Sequence, residues 1–350
     1  MSPVAAQPDV AAQPDNYPII GDQETMETTR RQLLSAAGAA CLFPRLAISR
    51  DAWPERMLRF VVPFPAGGGT DILARTTARG AERGLGQSVV VENRDGAGGT
   101  IGADSVARMP ADGYAMLMGA SSTMSVNPHL YKKLPYVTTR DFTAVTLLAT
   151  CPLILAVNAN LPVRSVRELI DYAKKHPGKL NTASAGTGSV GHLTSALFRR
   201  MADIDITHVP YRGSSPAINA LLSGEVHMMF DSPLTILPQV GSGRLVPLAS
   251  TGEKRAATLP DLPTMAESGL PGFKTNLWYG LFVRSGTPRP VVRRLNAEFV
   301  RALREPAMRE TLARQNLEPV GNTPEAFDAF WKSEYDRWGR VIRTDDIVLG

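Results

Sequence analysis

From Arg59 onward the chain alternates short β-branched apolar runs with longer stretches whose apolar residues recur at helical spacing. Such alternation is the signature of helices layered on sheets. Strands are predicted over 58–63, 89–92, 115–118, 153–157, 206–209, 226–230, 245–249 and 279–283, with helices between them. Ser165 with Glu168 forms a capping box, Val166, Leu169, Ile170 and Ala173 make one apolar face, and Pro177 and Gly178 stop that helix. A second helix is expected to bury Leu193, Ala196, Leu197 and Met201. Near the C-terminus Thr323 and Pro324 read as N-cap and first helical residue, and Phe327, Phe330, Trp331, Tyr335 and Trp338 line a stripe suited to a core.

The N-terminal part has another texture. Residues 1–25 are polar and proline-dotted; a second methionine, Met26, then opens a segment with Arg30 and Arg31 followed by an apolar run over 33–43. Charge, order and length match a twin-arginine export signal, with an apolar run too short to span a membrane. Cleavage after Ser49 is expected, giving a mature protein that starts near Trp53, with translation beginning at Met26 as one option. Lipidation at Cys41 is the weaker reading, because Gly38 stands where a larger aliphatic residue is wanted.

Composition narrows the class. A chain of 350 residues, 43% hydrophobic, can bury two cores. Lys plus Arg is 38 against 33 Asp plus Glu, a formal charge of +5, and no run of basic residues exceeds two. That scatter argues against a nucleic-acid groove and permits attraction of small anions. Cys41 and Cys151 are too few for a disulfide framework or a thiolate zinc site, and the five histidines never fall at i, i+4. Neither a metal nor a cofactor is expected.

Four glycine-rich or small-residue loops stand between a strand and a helix: PFPAGGGTD (63–71), NRDGAGGTI (93–101), SAGTGSVGH (184–192) and YRGSSP (211–216). A helix N-terminus offers unpaired N–H groups and partial positive charge, so four such junctions suggest a cleft for carboxylates or similar anions. Familiar enzymatic motifs fail here. Gly69-Thr70-Asp71 replaces the Gly-Lys-Ser/Thr of a P-loop, Ile101 occupies the third glycine of a dinucleotide fingerprint, and Thr187 stands where the elbow around Ser189 needs glycine.

These loops, with DGYAMLMGASSTMSVNPHLYKKLPY, HVPYRGSSPAINALLSGEVHMMFD and LPTMAESGLPGF, resemble the extracytoplasmic solute receptors of the tripartite tricarboxylate transporters, the Bug family, from about Trp53 to Trp338. The resemblance implies an α/β, two-domain periplasmic binding protein of the type II, Venus-flytrap kind, with the ligand cleft between the domains. Its first domain would be 53–150 plus 277–350, and its second 151–276, after the extension and signal of 1–52. It implies binding rather than catalysis, a small organic carboxylate as ligand, membrane permease subunits as partners, no nucleic acid, a monomer, and a periplasmic location.

Carried over by motif, Ala66, Gly67, Gly68, Thr70 and Asp71 belong to the loop that receives one ligand carboxylate, and Ser121, Ser122 and Thr123 to a hydroxyl-rich loop beside it. Thr187, Gly188, Ser189 and His192 match the loop holding the ligand's other end, and Asp231 closes the MFD motif. Turn formation by the glycines, helix capping by Asp71 and loop bracing by His192 or Asp231 are the structural alternatives. Arg212 reads as a surface cation. Two positions depart from the family pattern: Val137, where aspartate is common after LPY, and Ser232, where asparagine often follows MFD. A same-fold sensor for a two-component system and a secreted hydrolase using Ser189 or Ser121 with His192 are the competing functions, the latter lacking a recognisable activated nucleophile.

Overall fold

The computed structural model describes residues 53–67, 69–256 and 258–347. The export signal, Cys41 and Gly68 fall outside them. The strands, in chain order, are β1 (Leu58–Val62), β2 (Val89–Asn93), β3 (Ala115–Ala120), β4 (Phe142–Pro152), β5 (Ile154–Asn158), β6 (Leu180–Ser184), β7 (Ile206–Pro210), β8 (Met228–Asp231), β9 (Leu245–Ser250), β10 (Asn276–Arg284) and β11 (Glu318–Pro319). The helices are α1 (Gly69–Leu85), α2 (Thr100–Ala107), α3 (Asn127–Leu130), α4 (Thr138–Asp141), α5 (Val166–Lys175), α6 (Val190–Ala202), α7 (Ser214–Ser223), α8 (Pro233–Val240), α9 (Arg289–Arg304), α10 (Pro306–Ala313) and α11 (Pro324–Thr344).

Two sheets result. The first has the order β11-β4-β10-β3-β1-β2, the second β7-β6-β8-β5-β9. Within the first, β1 runs parallel to β2 and β3, while β10 and β4 run antiparallel to their neighbours. Within the second, β6 is parallel to β7 and β8, and β5 is antiparallel to β8 and β9. The parallel strands are separated by helices because a parallel return needs a crossover.

Each sheet has its own apolar filling. Leu73, Ala74, Ala78 and Ala81 of α1 pack with Leu58 and Phe60 of β1 and with Leu295 and Phe299 of α9. On the second sheet Leu155, Leu193, Phe198, Phe230 and Phe273 share one core. Half of the capping box of α5 forms as read: the Ser165 hydroxyl accepts from the Glu168 N–H, while the Glu168 carboxylate accepts from the Arg164 N–H and not from the Ser165 N–H, and Val166, Leu169 and Ala173 are buried beneath it. Met201 departs from expectation. It lies in the last turn of α6 and is 37% exposed where the periodicity suggests burial, whereas the next residue, Ala202, enters the core.

Helix α11 serves both cores. Phe327 and Trp331 pack with Trp278 and Phe282 of β10, whereas Trp338, Val341 and Ile342 enter the core with Leu193 and Phe198. The two sheets are also joined by chain crossings at 152–154 and 250–276, which meet at the buried Thr251. Its N–H donates to the Leu153 carbonyl (2.9 Å), and its carbonyl accepts from the Thr275 N–H (3.0 Å). The hydroxyl oxygen accepts from the Leu153 N–H (2.8 Å) and donates to the Thr275 carbonyl (2.6 Å). One threonine thus satisfies the backbone of both crossings, where open strand ends would otherwise be stranded in a dry interior.

Candidate functional site

All four glycine-rich loops leave the carboxyl ends of parallel strands, namely β1, β2, β6 and β7. The segments after β3 and β8 start at the same ends, so Ser121 and Asp231 join them. Open α/β sheets bind ligands at this edge, because the following helices point their unpaired first-turn amides at it.

The loop between β1 and α1 is built around Asp71, which is 3% exposed. Its carboxylate accepts from the Gly67 N–H (2.9 Å), Arg75 Nε (3.0 Å) and Asn93 Nδ2 (3.0 Å). Asn93 also donates to the Phe64 carbonyl (3.1 Å) and accepts from Arg75 Nη2 (2.9 Å). Burial works to raise the Asp71 pKa, but the hydrogen bonds from Arg75, Gly67 and Asn93 outweigh it and hold the carboxyl below its ordinary value. Asp71 therefore shapes the loop from within. Gly67 takes a φ of +82° that asks for glycine, Ala66 and Gly67 are exposed, and no atom stands within 4 Å of a Cβ placed on Gly67 or Gly69. Space for an incoming group lies over this stretch of backbone.

Beside it, Ser121 and Ser122 follow β3. Thr123 Oγ1 is bonded to the Ala120 N–H (3.0 Å) and carbonyl (3.1 Å) and locks the turn. Residues 122–126 then form a π-helical turn, a wide and uncommon geometry that often accompanies function.

From the second sheet, the loop 184–189 enters α6 through Ser189, whose hydroxyl accepts from the His192 N–H (3.2 Å). His192 Nδ1 accepts from the Gly188 N–H (3.1 Å), and the imidazole stacks on His208 at 3.6 Å. Burial, then the nearby Arg199, push the His192 pKa down to about 4, so it is neutral at ordinary pH. Thr187 is exposed at the tip. Gly188 has a φ of +77°, and a Cβ there would lie 2.3 Å from Leu130 Cδ1. Leu130 ends α3, in the segment that follows the hydroxyl-rich loop, so α3 and the Gly188 loop are in contact.

Asp231 completes the set. Burial raises its pKa, opposed by hydrogen bonding to Ser214, Ser232 and Thr235, including a 2.6 Å bond from the Ser232 N–H. Burial raises the pKa of the Tyr279 phenol, opposed by hydrogen bonding to the Thr70 side chain.

Residues 73–347 match a family described as the tripartite tricarboxylate transporter family receptor. The chain belongs to that family. It is 42% identical over 315 residues to the UPF0065 protein in the tcbD-tcbE intergenic region of Pseudomonas sp. strain P51, covering 89% of this chain and 94% of that one. It is similar to the structure of R. palustris Rpa4515 with adipate, at a TM-score of 0.73 and 38% identity over 85% of this chain and 100% of the other. It is similar as well to MatC from Rhodopseudomonas palustris with bound malate, at a TM-score of 0.68 and 35% identity over 83% and 100%. The receptor thus has the two-domain α/β fold of periplasmic binding proteins.

Several residues of the receptor's site escaped the sequence reading. Asn93 and Arg75 brace Asp71, Tyr279 is hydrogen-bonded to Thr70, and His208 stacks on His192. Arg212 is exposed, as expected, and Arg94, a second loop cation, is paired with Glu92 at 3.1 Å. Of the departures from the family pattern, Val137 is exposed and its N–H donates to Asp141, whereas Ser232 touches Asp231 directly. A cavity of about 770 Å³ lies elsewhere, lined among others by Thr150, Pro152, Lys254, Arg309 and Glu318. It contains none of the anion loops, so the site is assigned to the loops on their amide and hydroxyl chemistry.

Proposed function

We propose that this protein is an exported receptor that captures a small dicarboxylate between its two domains and hands it to membrane permease subunits. The domains are 53–150 with 277–350 and 151–276, hinged where the crossings meet at Thr251. It works as a monomer in the periplasm, having been exported by the twin-arginine route. The observation that carries this reading is that glycine-rich loops of both sheets leave the carboxyl ends of parallel strands and open into helices, and that Gly188 of the second sheet's loop packs against Leu130, in the segment that follows Ser121 of the first. One carboxylate would sit over the 66–70 backbone and the Ser121–Ser122 hydroxyls, the other at Thr187 and the start of α6. Relatives of known structure were solved with adipate and with malate, which supports a linear dicarboxylate.

Binding rather than catalysis fits the geometry. Ser189 meets His192 only through the His192 backbone N–H, and the His192 ring is committed to Gly188 and His208. No general base is therefore presented to the Ser189 hydroxyl by that ring.

Screening a panel of mono-, di- and tricarboxylates and amino acids by thermal shift tests the reading. A true ligand at ~100 times its dissociation constant adds about 2.7 kcal/mol, which raises the melting temperature by several degrees at this chain length. Dicarboxylates should give the largest shifts. A panel in which only amines or sugars shift the transition would overturn the assignment. Because amides do not titrate and His192 is already neutral, calorimetric affinity for the best dicarboxylate should stay nearly constant from about pH 6 to 9. A steep fall above neutrality would instead require a titrating cation in the site.

A further inference from the structure

A buried and a half-buried imidazole, His192 and His208, stand behind the second ligand loop, and both grip it. His192 Nδ1 takes the Gly188 N–H at 3.1 Å. His208 Nε2 lies 2.6 Å from Ser184 Oγ, and the same hydroxyl accepts from the Gly186 N–H (3.2 Å) and donates to the Gly186 carbonyl (3.1 Å). The rings are stacked and nearly parallel, 8° apart at 3.6 Å. With Ser184 donating to the Gly186 carbonyl, its oxygen accepts from the Gly186 N–H and from His208 Nε2–H. Gly186 and Gly188, at φ +135° and +77°, are the positions where this loop takes conformations that a side chain resists. The two histidines thus hold the loop at its two glycines.

We propose that His192 and His208 are positioning residues, a stacked imidazole pair that holds loop 184–189 in its ligand-receiving shape and lets it go when His192 is protonated on Nδ1. The proposal rests on that loop being one side of the binding site. Its chemistry is local. A proton on Nδ1 of His192 turns the acceptor of the Gly188 N–H into a second donor facing it, and a charge on one ring of a tight stack opposes charge on the other.

The surroundings favour the neutral pair. A small cavity of about 100 Å³ beside the rings is lined by Thr182, Ser195, Arg199 and Asp345. Arg199 contributes positive charge from α6, and Asp345, which follows α11, is occupied by Arg199 at 2.8 Å and Arg200 at 3.4 Å. Among the described residues, no carboxylate is bonded to either imidazole. Burial, then His192, lower the His208 pKa to about 4, matching its partner. Since both values lie below the unfolded-chain value of about 6.5, the unfolded chain binds more protons between them. Stability is full above about pH 6.5 and declines as pH falls toward 4.

Amide hydrogen exchange on the ligand-free full chain tests this without knowledge of the ligand. After correction for the intrinsic pH dependence of exchange, peptides covering 184–192 should be protected at pH 7 and lose about tenfold or more of that protection by pH 4, the loss of one hydrogen bond. Peptides from α5 should change little. His192→Phe keeps the stack but removes the acceptor, so it should show the acid-like loss already at pH 7. His192→Gln supplies an amide oxygen and cannot titrate, so it should keep protection at pH 7 and retain it at pH 4. Should the phenylalanine variant fail to fold, His208→Phe, which severs only the Ser184 contact, should loosen the Gly186 end. Wild-type protection in either phenylalanine variant at pH 7, or identical acid loss in His192→Gln and wild type, would overturn the proposal. A failure of the carboxylate assignment would appear in the thermal-shift panel and would leave the exchange result intact.

Discussion

Asp71→Ala is expected to weaken ligand capture by about two orders of magnitude, the effect of an ångström-scale misplacement of recognition groups. It should also destabilise the ligand-free protein by about 3 kcal/mol, since hydrogen bonds to charged groups are worth roughly 1.5–3 kcal/mol each and are not additive. The substitution strands three donors at once: Gly67 N–H, Asn93 Nδ2 and Arg75 Nε. Of these, the Gly67 amide matters most for binding, because its bond sets the course of the backbone over which the carboxylate is proposed to sit. Asp71→Asn keeps an acceptor oxygen and should lose much less of both quantities. Calorimetry and chemical denaturation on the same samples separate the roles. Lost affinity with wild-type stability would make Asp71 a direct ligand contact, and lost stability with wild-type affinity would confine it to the scaffold.

The second large effect is expected at Gly188. A Cβ at this position would lie 2.3 Å from Leu130 Cδ1, on backbone already at φ +77°. Gly188→Val therefore imposes strain of about 1–2 kcal/mol for a left-handed conformation, and in addition drives the second ligand loop away from the segment that follows Ser121. Binding should fall below detection while the melting temperature drops by only a few degrees. Combining Gly188→Ala with Leu130→Ala distinguishes the causes. Removing the leucine relieves the clash but not the φ strain, so a double variant that binds better than Gly188→Ala alone would identify the contact between loops as the limiting factor. Equal affinity in the two would leave backbone strain as the whole effect.

Much of the candidate site was legible because its chemistry is concentrated in glycine clusters at strand ends. PFPAGGGTD and SAGTGSVGH announce turns before helices, and both lie where the topology puts ligands. The partners of those loops were not legible, because partnership depends on which strands are neighbours. Tyr279 reaches Thr70 from a strand more than two hundred residues later. His208 reaches His192 only because β6 and β7 pair in parallel register, Ser184 opposite Pro210. Asn93 stood at the head of a noticed loop, but its bond to Asp71 follows from the pairing of β1 with β2.

The strands missed have physical reasons too. Strand β4 (FTAVTLLATCP) is covered on both faces, so it lacks the alternation that marks a half-exposed strand. Strand β6 (LNTAS) is short and polar, because its side chains serve the site: Thr182 and Ser184 bond to Ser195 and His208. The aromatic stripe of α11 was correctly read as core. Its division between two cores, Phe327 and Trp331 on one and Trp338 on the other, has no sequence signal, since period 3.6 reports a buried face and not what covers it.

The central claim is that a carboxylate held by loops from both halves draws them together, since a ligand shifts a conformational equilibrium only through contacts that differ between its states. The most direct test is a distance measurement by double electron–electron resonance between spin labels at Val90→Cys, on β2, and Met201→Cys, on α6, both exposed positions away from the loops. Cys151 is 3% exposed, and burial pushes its thiol up to about 12, so it should resist labelling. With the carboxylate that gives the largest thermal shift at saturation, the account predicts a narrower distance distribution displaced from that of the ligand-free protein. An unchanged distribution at saturation would contradict it.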